Sequence, residues 1–497
     1  MKPLSHALPN TFEHEQQAIV KPTGFREYDA RWLFGAELNL KGAQAVGLGF
    51  GTLLARRGVR PDVVIGHDYR SYSSAIKYAL ATGLMASGCH IHDIGMCTTP
   101  MAYFAQFALD APAVAMVTAS HNENGWTGVK MGLDRPVTLG PDDMAELKSI
   151  VLEDEGISLG GGSLANVENI FSQYRAELLK DGPISRKLRV AAVCGNGTPG
   201  PFAPDVLRGL GCEVVEIDCD LDFTFPNYNP NPEDLKMLRV MQQAVKDHGV
   251  DVAFGFDGDG DRCGVVDHQG NVIFSDKIGL MMARDMAALV PNARFVVDVK
   301  STGLYATDPV LQRLGATTDY FKTGHSYIKR RTRELGAVAG FEKSGHFFFR
   351  PPFGLGYDDG IATAIAICRM LDRAQDKSLA DLYQNLPVSF TSPTLSPHCD
   401  DEKKYAVVDR VTKLITGLHQ ANTPLSGRML TDINTVNGVR FSFADGGWGL
   451  VRASSNKPEL VVVCESLKSE SDMLAIFQII KELLATEPEV GAFNQHI

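Results

Sequence analysis

The sequence lacks the cysteine patterns that hold disulfide-rich or zinc-stabilised folds together. Its 9 cysteines are scattered over 497 residues, and none forms a CxxC pair. Disulfide frameworks and structural zinc sites need regularly spaced or clustered cysteines. We therefore expect a protein of a reducing compartment, and the predicted location is the cytoplasm.

Long apolar runs and an excess of basic charge are absent as well. No stretch approaches the ~18 apolar residues of a membrane span, and the start, MKPLSHALPNTFEHEQQ, has no apolar signal segment. Lys and Arg number 48 against 59 Asp and Glu, a formal net charge of −11. Because nucleic-acid binding needs a basic surface, we expect neither a nucleic-acid nor a membrane partner. An anionic substrate would require positive charge concentrated at one place.

A strand–helix–strand pattern occurs three times, and this pattern is typical of α/β domains. The chain is too long for one core, so about three or four domains are expected. After each copy, another apolar strand runs into a loop of unusual composition. These three loops are TASHNENGWTG, DGDGDR and EKSGHFFF. Ligands bind at the carboxyl ends of strands in such sheets, so we expect the three loops to face one cleft.

The last hundred or so residues have a different pattern. Short strands joined by Gly-rich turns precede the amphipathic segment SESDMLAIFQIIKELLATE, which predicts an α+β domain. Leu386–His398, rich in Pro, Ser and Thr, is interpreted as its linker. The predicted fold is therefore α/β with four domains, at residues 1–163, 164–272, 273–390 and 391–497.

Ser120, in TASHN, is a candidate phosphoryl or acyl carrier. A serine hydroxyl can take this role when a base and an electrophilic partner lie near it. On the local pattern alone, an ordinary turn serine is the competing interpretation. The GxSxG pattern of the hydrolase elbow is absent.

Asp257, Asp259 and Asp261 alternate with glycines, which allows a tight turn to direct their carboxylates to one point. Hard oxygen ligands at this spacing suit Mg²⁺ or a similar cation. An EF-hand is excluded, because its sixth and twelfth positions would be Arg262 and His268. The alternative is a solvated acidic turn, in which the three carboxylates would repel one another.

Further polar groups suit a phosphorylated sugar. Glu342, Ser344 and His346 alternate, so an extended strand would direct them to one face, where they could bind hydroxyls. Arg452 precedes a run of hydroxyl and amide side chains, and such a turn can hold a phosphate. An exposed strand face and a surface turn are the respective alternatives. Weaker single candidates are Arg26, Arg31, Lys300, Thr323, His325 and Lys329.

Taken together, these loops resemble the α-D-phosphohexomutase family, specifically its bacterial phosphomannomutase/phosphoglucomutase branch. The resemblance extends from Gly24 to Glu465 and includes TASHN, DGDGDR, a Glu-x-Ser-x-His loop and an Arg-Ala-Ser turn in this order. It implies four domains around a central cleft, three of them similar α/β domains with mixed sheets and the last resembling the TATA-binding-protein fold.

The resemblance also assigns roles. The residues matched to metal binding are Ser120, through its phosphate, Asp257, Asp259 and Asp261. The catalytic residues that it implies are Ser120, Arg31, Lys130, Lys300 and His325. The substrate contacts are Arg262, Glu342, Ser344, His346, Arg452, Ser454, Ser455 and Asn456. Thr323, two residues before His325, is added to these substrate contacts.

The implied reaction moves phosphate between C6 and C1 of a hexose through phosphorylated Ser120. It uses Mg²⁺ and a hexose 1,6-bisphosphate intermediate, with mannose and glucose 1- or 6-phosphates as substrates and a monomer or weak dimer as the assembly. The alternatives are a phosphoglucosamine mutase, a sugar phosphatase and an inactive sugar-phosphate-binding relative. Three departures from the family pattern are Trp32, His67 and the Ser-Ser-Asn-Lys turn.

Overall fold

The computed structural model describes residues 16–455 and 457–494, and these residues form four β-sheets with flanking helices. Each sheet and its helices are called a unit below: the first, second, third and C-terminal unit in chain order. None of the helices in the described ranges combines the length and apolarity needed to cross a membrane.

The first unit has a 7-stranded sheet in the order β1-β5-β4-β2-β3-β7, with β6 paired to β5. Its strands are β1 (Ala30–Leu33), β2 (Asp62–His67), β3 (His90–Met96), β4 (Ala113–Val117), β5 (Trp126–Asp134), β6 (Val137–Thr138) and β7 (Ser163–Asn166). Its helices are α1 (Leu40–Arg56), α2 (Ser73–Ala86), α3 (Thr99–Ala108) and α4 (Pro141–Leu152).

The second unit has a 5-stranded sheet in the order β12-β11-β10-β8-β9. Its strands are β8 (Arg189–Val193), β9 (Glu213–Ile217), β10 (Val252–Phe256), β11 (Cys263–Asp267) and β12 (Val272–Ile273). Its helices are α5 (Ile170–Leu178), α6 (Ala203–Gly209) and α7 (Leu235–His248).

The third unit has a 4-stranded sheet in the order β14-β13-β15-β16. Its strands are β13 (Arg294–Asp298), β14 (Thr317–Phe321), β15 (Ala339–Phe341) and β16 (Phe347–Phe349). Its helices are α8 (Ser275–Leu289), α9 (Leu304–Thr307), α10 (Pro309–Arg313), α11 (His325–Leu335), α12 (Gly360–Arg373) and α13 (Leu379–Gln384).

The C-terminal unit has a 5-stranded antiparallel sheet in the order β17-β21-β20-β19-β18. Its strands are β17 (Phe390–Thr391), β18 (Leu430–Asn434), β19 (Val439–Phe443), β20 (Trp448–Ala453) and β21 (Leu460–Ser466). Its helices are α14 (Lys404–Gln420) and α15 (Glu470–Leu484), and α15 confirms the predicted amphipathic helix.

The segment Leu386–His398, interpreted from the sequence as a linker, is more ordered than that. Phe390–Thr391 pairs with β21, and Leu395 forms a further bridge to Val462. The prolines and polar residues that suggested a linker therefore cross the edge of the C-terminal sheet, where backbone groups of β21 are available for pairing.

The three α/β units share one strand arrangement, which confirms the repeat predicted from the sequence. In each unit a parallel trio, β3-β2-β4, β9-β8-β10 or β14-β13-β15, continues into an antiparallel strand, β5, β11 or β16. The three unusual loops connect the last two strands in every case. They consequently leave the carboxyl ends of β4, β10 and β15.

One apolar core joins the three α/β units. It includes Met116 of the first sheet, Phe254 of the second and Phe295 of the third. The C-terminal unit has its own core around Phe441 and Ile480. Such a shared core holds the three loop-bearing edges in a fixed relation, because packed interiors resist deformation.

Candidate active site

The predicted site residues come together in one cavity of about 320 Å³ between the four units. This size falls in the range of small-molecule sites. Of the predicted residues that the structure describes, the cavity is lined by Arg26, Arg31, Ser120, Lys130, Arg262, Lys300, Thr323, His325, Glu342, Ser344, His346, Arg452, Ser454 and Ser455, whereas Lys329 is not part of the lining. Asp257, Asp259 and Asp261 are fully buried, and contacts with Ser120 and Lys130 tie them to its wall. Asn456 lies outside the described residues.

Ser120 lies just beyond the buried end of β4 and is 2% exposed. Its backbone has φ +52°, in the left-handed region, and its N–H donates to Thr118 Oγ1 at 2.9 Å. The hydroxyl donates to Asp257 Oδ2 at 2.9 Å. A hydroxyl held against a carboxylate cluster in this way can carry a phosphoryl group once the negative charge is balanced.

The carboxylates of Asp257, Asp259 and Asp261 converge. One ligand oxygen from each lies within 4.8 Å of the others, and all three side chains are buried. Burial, followed by the charges of Asp261 and Asp259, raises the pKa of Asp257 to about 8. Burial also opposes ionisation of Asp259, but the charge and hydrogen bond of Lys130 hold its pKa well below the usual range.

Lys130 and two threonines organise this cluster. Lys130 lies on β5 and donates to Asp259 Oδ2 at 2.8 Å and also contacts Asp261. Thr99, at the start of α3, and Thr118 donate to the same Asp259 oxygen at 2.7 and 3.1 Å. These contacts leave one oxygen of each of Asp259 and Asp261 buried and without a hydrogen-bond partner in the described chain.

These residues fit a hard divalent cation. Convergent carboxylate oxygens are the ligands that Mg²⁺ prefers, and two of the available oxygens are buried without a partner among residues 16–455 and 457–494. Without a cation, the three neighbouring carboxylates would face Lys130 and, at 3.9 Å from Asp257 Oδ2, Arg262 Nε. The arrangement thus favours the metal-site interpretation over a solvated acidic turn, since the aspartates are buried.

The loop Glu342–His346, expected from the sequence to bind the sugar, is a tight turn rather than the extended segment that the alternation would require. Gly345 N–H donates to Glu342 O at 3.1 Å, and Glu342 N–H donates to His346 O at 2.9 Å. Gly345 has φ +95°, which closes the turn between β15 and β16. The Glu342 side chain accepts from Ser344 Oγ at 2.9 Å and from Gly324 N–H at 3.0 Å.

His346 is held between a guanidinium and a carboxylate. Arg262 Nε donates to His346 Nε2 at 2.8 Å, so the proton of a neutral ring lies on Nδ1. That atom is 2.8 Å from Asp358 Oδ2, and Asp358 also accepts from Lys329 Nζ at 3.0 Å. Arg262 and His346 also form a backbone bridge, which joins the metal loop to the loop Glu342–His346.

His325, the first residue of α11, is an uncharged group in the cavity. Burial, followed by the charge of Lys329, lowers the pKa of His325 well below its ordinary value. Its Nε2 is buried and has no hydrogen-bond partner within the described residues. Nearby, Thr323 donates to Asp298 Oδ2 at 3.1 Å, and Lys300 Nζ is 3.8 Å from the same oxygen. A neutral imidazole in this position can exchange a proton with a bound hydroxyl.

Two arginines of the cavity lining each have a buried nitrogen without a hydrogen-bond partner among the described residues. Arg31, on β1, pairs with Asp29 through Nε and Nη2 at 3.0 and 2.9 Å, and its Nη1 has no partner in residues 16–455 and 457–494. Arg452, on β20, donates through Nη1 to Ala453 O at 2.8 Å, while its Nε is likewise unpartnered. Unsatisfied buried donors of this kind suit an anionic ligand.

The charge of the cavity opposes that of the whole chain. Its described lining contains 7 Lys and Arg side chains against 4 Asp and Glu side chains, whereas the chain has a net charge of −11. Positive charge is concentrated on this lining, as an anionic substrate requires, while the three buried aspartates behind the wall supply the negative charge that a cation would neutralise.

Several residues of the site had no signal in the local sequence pattern. Lys329 was a weak candidate and Asp358 was missed, although they meet in a fully buried pair beside His346. Thr99 and Lys457 were missed because only long-range folding brings them to the aspartates and to the cavity. For these missed residues, the sequence offered one sign, the neighbouring aspartates Asp358 and Asp359. An aspartate directly before a helix is a common N-cap, and Asp359 caps α12.

Trp32, a departure from the family pattern, belongs to the core. It is buried, and its Nε1 donates to Lys21 O at 2.9 Å. Alternation along β1 places Trp32 on the face opposite Arg31. Trp32 therefore fills space in the core behind β1, while Arg31 remains in the lining of the cavity.

Comparisons with known proteins agree with this architecture. Family models described as phosphoglucomutase/phosphomannomutase, alpha/beta/alpha domains I, II and III, match residues 22–157, 170–270 and 274–390. A phosphomannomutase/phosphoglucomutase of Pseudomonas putida is 32% identical over 482 residues, covering 96% of this chain and 99% of the relative. A phosphoglucomutase of Neisseria meningitidis serogroup A is 32% identical over 458 residues, covering 92% and 95%.

A solved structure extends the similarity to three dimensions. The crystal structure of a phosphoglucomutase/phosphomannomutase family protein from Burkholderia thailandensis has a TM-score of 0.85 and 30% identity, covering 95% of this chain and 99% of that one. The matches include all three α/β units and continue through the C-terminal one. With these units, their loops and the relatives in agreement, the chain belongs to the phosphoglucomutase/phosphomannomutase family.

Proposed function

We propose that the protein is an isomerase that moves a phosphoryl group between C6 and C1 of a hexose phosphate, as a phosphomannomutase that also acts as a phosphoglucomutase. The observation that carries this proposal is the contact of Ser120 Oγ with Asp257 at 2.9 Å, at the wall of a basic cavity. The names of the relatives support the same substrate class.

In this reaction, Ser120 carries the phosphoryl group in the resting enzyme. The free hydroxyl of the sugar attacks phosphorus, the bond to Ser120 Oγ breaks, and a base passes the hydroxyl proton to the departing Ser120 Oγ. The hexose 1,6-bisphosphate then reorients in the cavity. Ser120 Oγ attacks its other phosphorus, the bond from that phosphorus to the sugar oxygen breaks, and the sugar oxygen takes up the serine proton. His325 is the candidate for proton exchange, because it is neutral and its Nε2 is unpartnered in the described chain.

Asp257, Asp259, Asp261 and the phosphate on Ser120 would hold Mg²⁺. When bound, this cation neutralises charge that develops on the transferred phosphoryl group. Lys130 balances the charge of Asp259 and Asp261 from the opposite side. Arg31, with its free Nη1, and Lys300 add positive charge along the path of the phosphoryl group.

The substrate contacts follow from the cavity lining. Glu342, Ser344 and Thr323 offer acceptors and hydroxyls to the sugar, and Arg262 and His346 lie beside them. Arg452, Ser454 and Ser455, with Asn456, form the cradle for the phosphate that does not react. One cradle serves both orientations of the bisphosphate, because each carries a phosphate at its distal end.

The assembly that we propose has four domains, at residues 1–163, 164–272, 273–390 and 391–497, in a cytoplasmic monomer or weak dimer. The positions matched by the family models support these divisions. The phosphoglucosamine mutase alternative uses the same carrier and differs in the group at C2 of the sugar. A sugar phosphatase would lose phosphate from Ser120 to water, and an inactive relative would not need the carrier.

The test combines Ser120→Ala with a coupled assay on mannose, glucose and glucosamine 1-phosphates and with intact-mass measurement. We expect the variant to fold, to lose nearly all mutase activity and to lack the single phosphate of the wild type. Activity within a few-fold of wild type would refute the carrier assignment. Faster turnover of glucosamine 1-phosphate than of the other two would favour the alternative substrate, and release of inorganic phosphate would favour a phosphatase.

A further inference from the structure

The GHDYRS segment after β2 contributes a buried pair that the proposed reaction has not used. Arg70 and Asp68 are 4% and 2% exposed, and Arg70 Nε donates to Asp68 Oδ2 at 3.2 Å. The pair contacts the Ser120 loop, and neither residue belongs to the lining of the cavity. Buried charges of this kind are costly unless every donor and acceptor is used.

The guanidinium of Arg70 binds the backbone of the Ser120 loop. It donates to Ser120 O at 3.1 Å, to Asn122 O at 2.6 Å and to Glu123 O at 3.0 Å. With the bond from Nε to Asp68, the planar guanidinium makes four hydrogen bonds at once, one more than the three N–H donors of a lysine ammonium allow. Arg70 thereby fixes the loop on both sides of His121.

Asp68 fixes both the arginine and the chain ahead of Ser120. Its Oδ2 accepts from Ala119 N–H and from Arg70 Nε, both at 3.2 Å, and its Oδ1 accepts from Arg70 N–H and from Ser73 Oγ. Residues 119, 120, 122 and 123 are thus all held by one ion pair.

The conformation held in this way is one that serine rarely adopts. Ser120 has φ +52°, and a non-glycine residue keeps such a conformation only where its surroundings impose it. The opposite side of the loop is equally constrained, because a methyl group on Gly258 of the metal loop would lie 2.4 Å from Ser120 O. The loop is therefore compressed between Arg70 and the metal loop, with Ser120 Oγ directed at Asp257.

We infer that Arg70, oriented by Asp68, is a positioning residue for phosphoryl transfer: it imposes the left-handed conformation of Ser120 that directs Oγ to the metal-binding aspartates. This inference rests on the proposed role of Ser120 as the carrier. It does not require Arg70 to touch the substrate. Its loss should therefore slow the chemical step and leave sugar-phosphate binding largely unchanged.

The test compares Arg70→Lys and Asp68→Asn with the control Lys77→Gln. Lys77 and Asp93 form a pair of similar burial in the same unit, with Nζ donating to Asp93 Oδ1 at 2.7 Å, and they do not contact the Ser120 loop. Steady-state kinetics with glucose 1-phosphate and glucose 1,6-bisphosphate, intact mass and thermal unfolding are measured for all three variants.

We expect Arg70→Lys to lower kcat about 100-fold, the effect of a misplacement of about 1 Å, with KM changed less than about threefold. Asp68→Asn keeps the hydrogen bonds from Arg70 to the loop carbonyls but weakens the contact that orients the guanidinium. We therefore expect its kcat to fall about tenfold. Lys77→Gln should lose thermal stability and retain kcat.

Three results would overturn the inference: a kcat of Arg70→Lys within threefold of wild type, an equal loss of kcat in Lys77→Gln, or failure of both Arg70→Lys and Asp68→Asn to fold. The last result would assign the pair a structural role. The Ser120→Ala variant keeps the two proposals distinct. An inactive Ser120→Ala beside a fully active Arg70→Lys removes only the positioning role, whereas an active Ser120→Ala removes the carrier itself.

Discussion

At the scale of single residues, Arg452 provides the sharpest test of the phosphate cradle. Its buried Nε has no partner in the described residues, so a phosphate would complete its hydrogen bonding. A charge-assisted contact of this kind contributes roughly 1.5–3 kcal/mol. We expect Arg452→Ala to weaken binding of glucose 1-phosphate by about one to two powers of ten, as measured by KM and by calorimetry.

Arg452→Lys is the matched control, because it keeps the charge and loses the directed fork; its affinity should lie between wild type and Arg452→Ala. Phosphate on Ser120 and the metal requirement should persist in both variants. Equal weakening of phosphorylated and phosphate-free sugars, or no weakening, would show that the distal phosphate binds elsewhere.

At the scale of elements, strand β21 attaches the C-terminal sheet to the third unit through a buried carboxylate. Glu465 accepts from Lys277 Nζ at 2.9 Å, from Thr302 Oγ1 at 2.7 Å and from Trp448 Nε1 at 2.6 Å. Burial opposes its ionisation, but the charge of Lys277 and these hydrogen bonds hold the pKa of Glu465 well below its usual range. The ionised form therefore fixes the sheet that bears Arg452.

Because the folded-state pKa of Glu465 is lowered, its contribution to stability is present above the unfolded-state pKa of about 4.3 and is lost as the pH falls toward the folded value. We expect Glu465→Gln to lower the free energy of unfolding by about 3–5 kcal/mol at pH 7, since Lys277 is left buried and unpaired. The difference in the free energy of unfolding between Glu465→Gln and the wild type should become smaller below about pH 4.

Calorimetric unfolding at pH 7 and about pH 3 measures this effect. The control is Lys468→Met, which removes an ion pair with Asp445 whose lysine is 55% exposed, and such surface pairs contribute about 0–1 kcal/mol. A similar loss in both variants, or a pH-independent loss in Glu465→Gln, would contradict the proposed anchoring role.

At the scale of the whole molecule, the proposed metal site lies where Ser120 of the first unit meets Asp257 of the second, and metal binding there should be coupled to proton release. Burial and the neighbouring carboxylates raise the pKa of Asp257 to about 8 without a metal, so this carboxyl is largely protonated at pH 7. A cation requires the ionised form. We expect Mg²⁺ binding to the dephosphorylated protein to release close to one proton at pH 7, and its affinity to rise up to about tenfold per pH unit until about pH 8.

Calorimetric titrations in two buffers with different ionisation enthalpies measure the released protons. Asp257→Asn should bind Mg²⁺ weakly and release none. A titration of the wild type at pH 7 without proton release, or an affinity that is independent of pH from 6 to 8, would contradict the expectation.

The sequence alone predicted which loops would meet at one cavity. TASHN, DGDGDR and EKSGHFFF each follow an apolar strand, and the strand-to-loop change is a local property that composition and periodicity record. The same local patterns predicted the three repeated units and the final amphipathic helix, because backbone conformation over a few residues depends mainly on those residues. The turn at Glu342–His346 was the local exception, since alternation does not distinguish a strand from a hairpin turn closed by glycine.

Tertiary structure alone decided which groups meet. Three buried lysines pair with distant carboxylates: Lys130 with Asp259, Lys329 with Asp358 and Lys277 with Glu465. The partners are separated by 129, 29 and 188 positions in the sequence, respectively. Such contacts depend on sheet register and on packing between units, and neither is encoded in the spacing of neighbouring residues. For the same reason the ion pair of Asp68 and Arg70 appears in the sequence as part of a turn, and only the folded chain brings it into contact with the Ser120 loop.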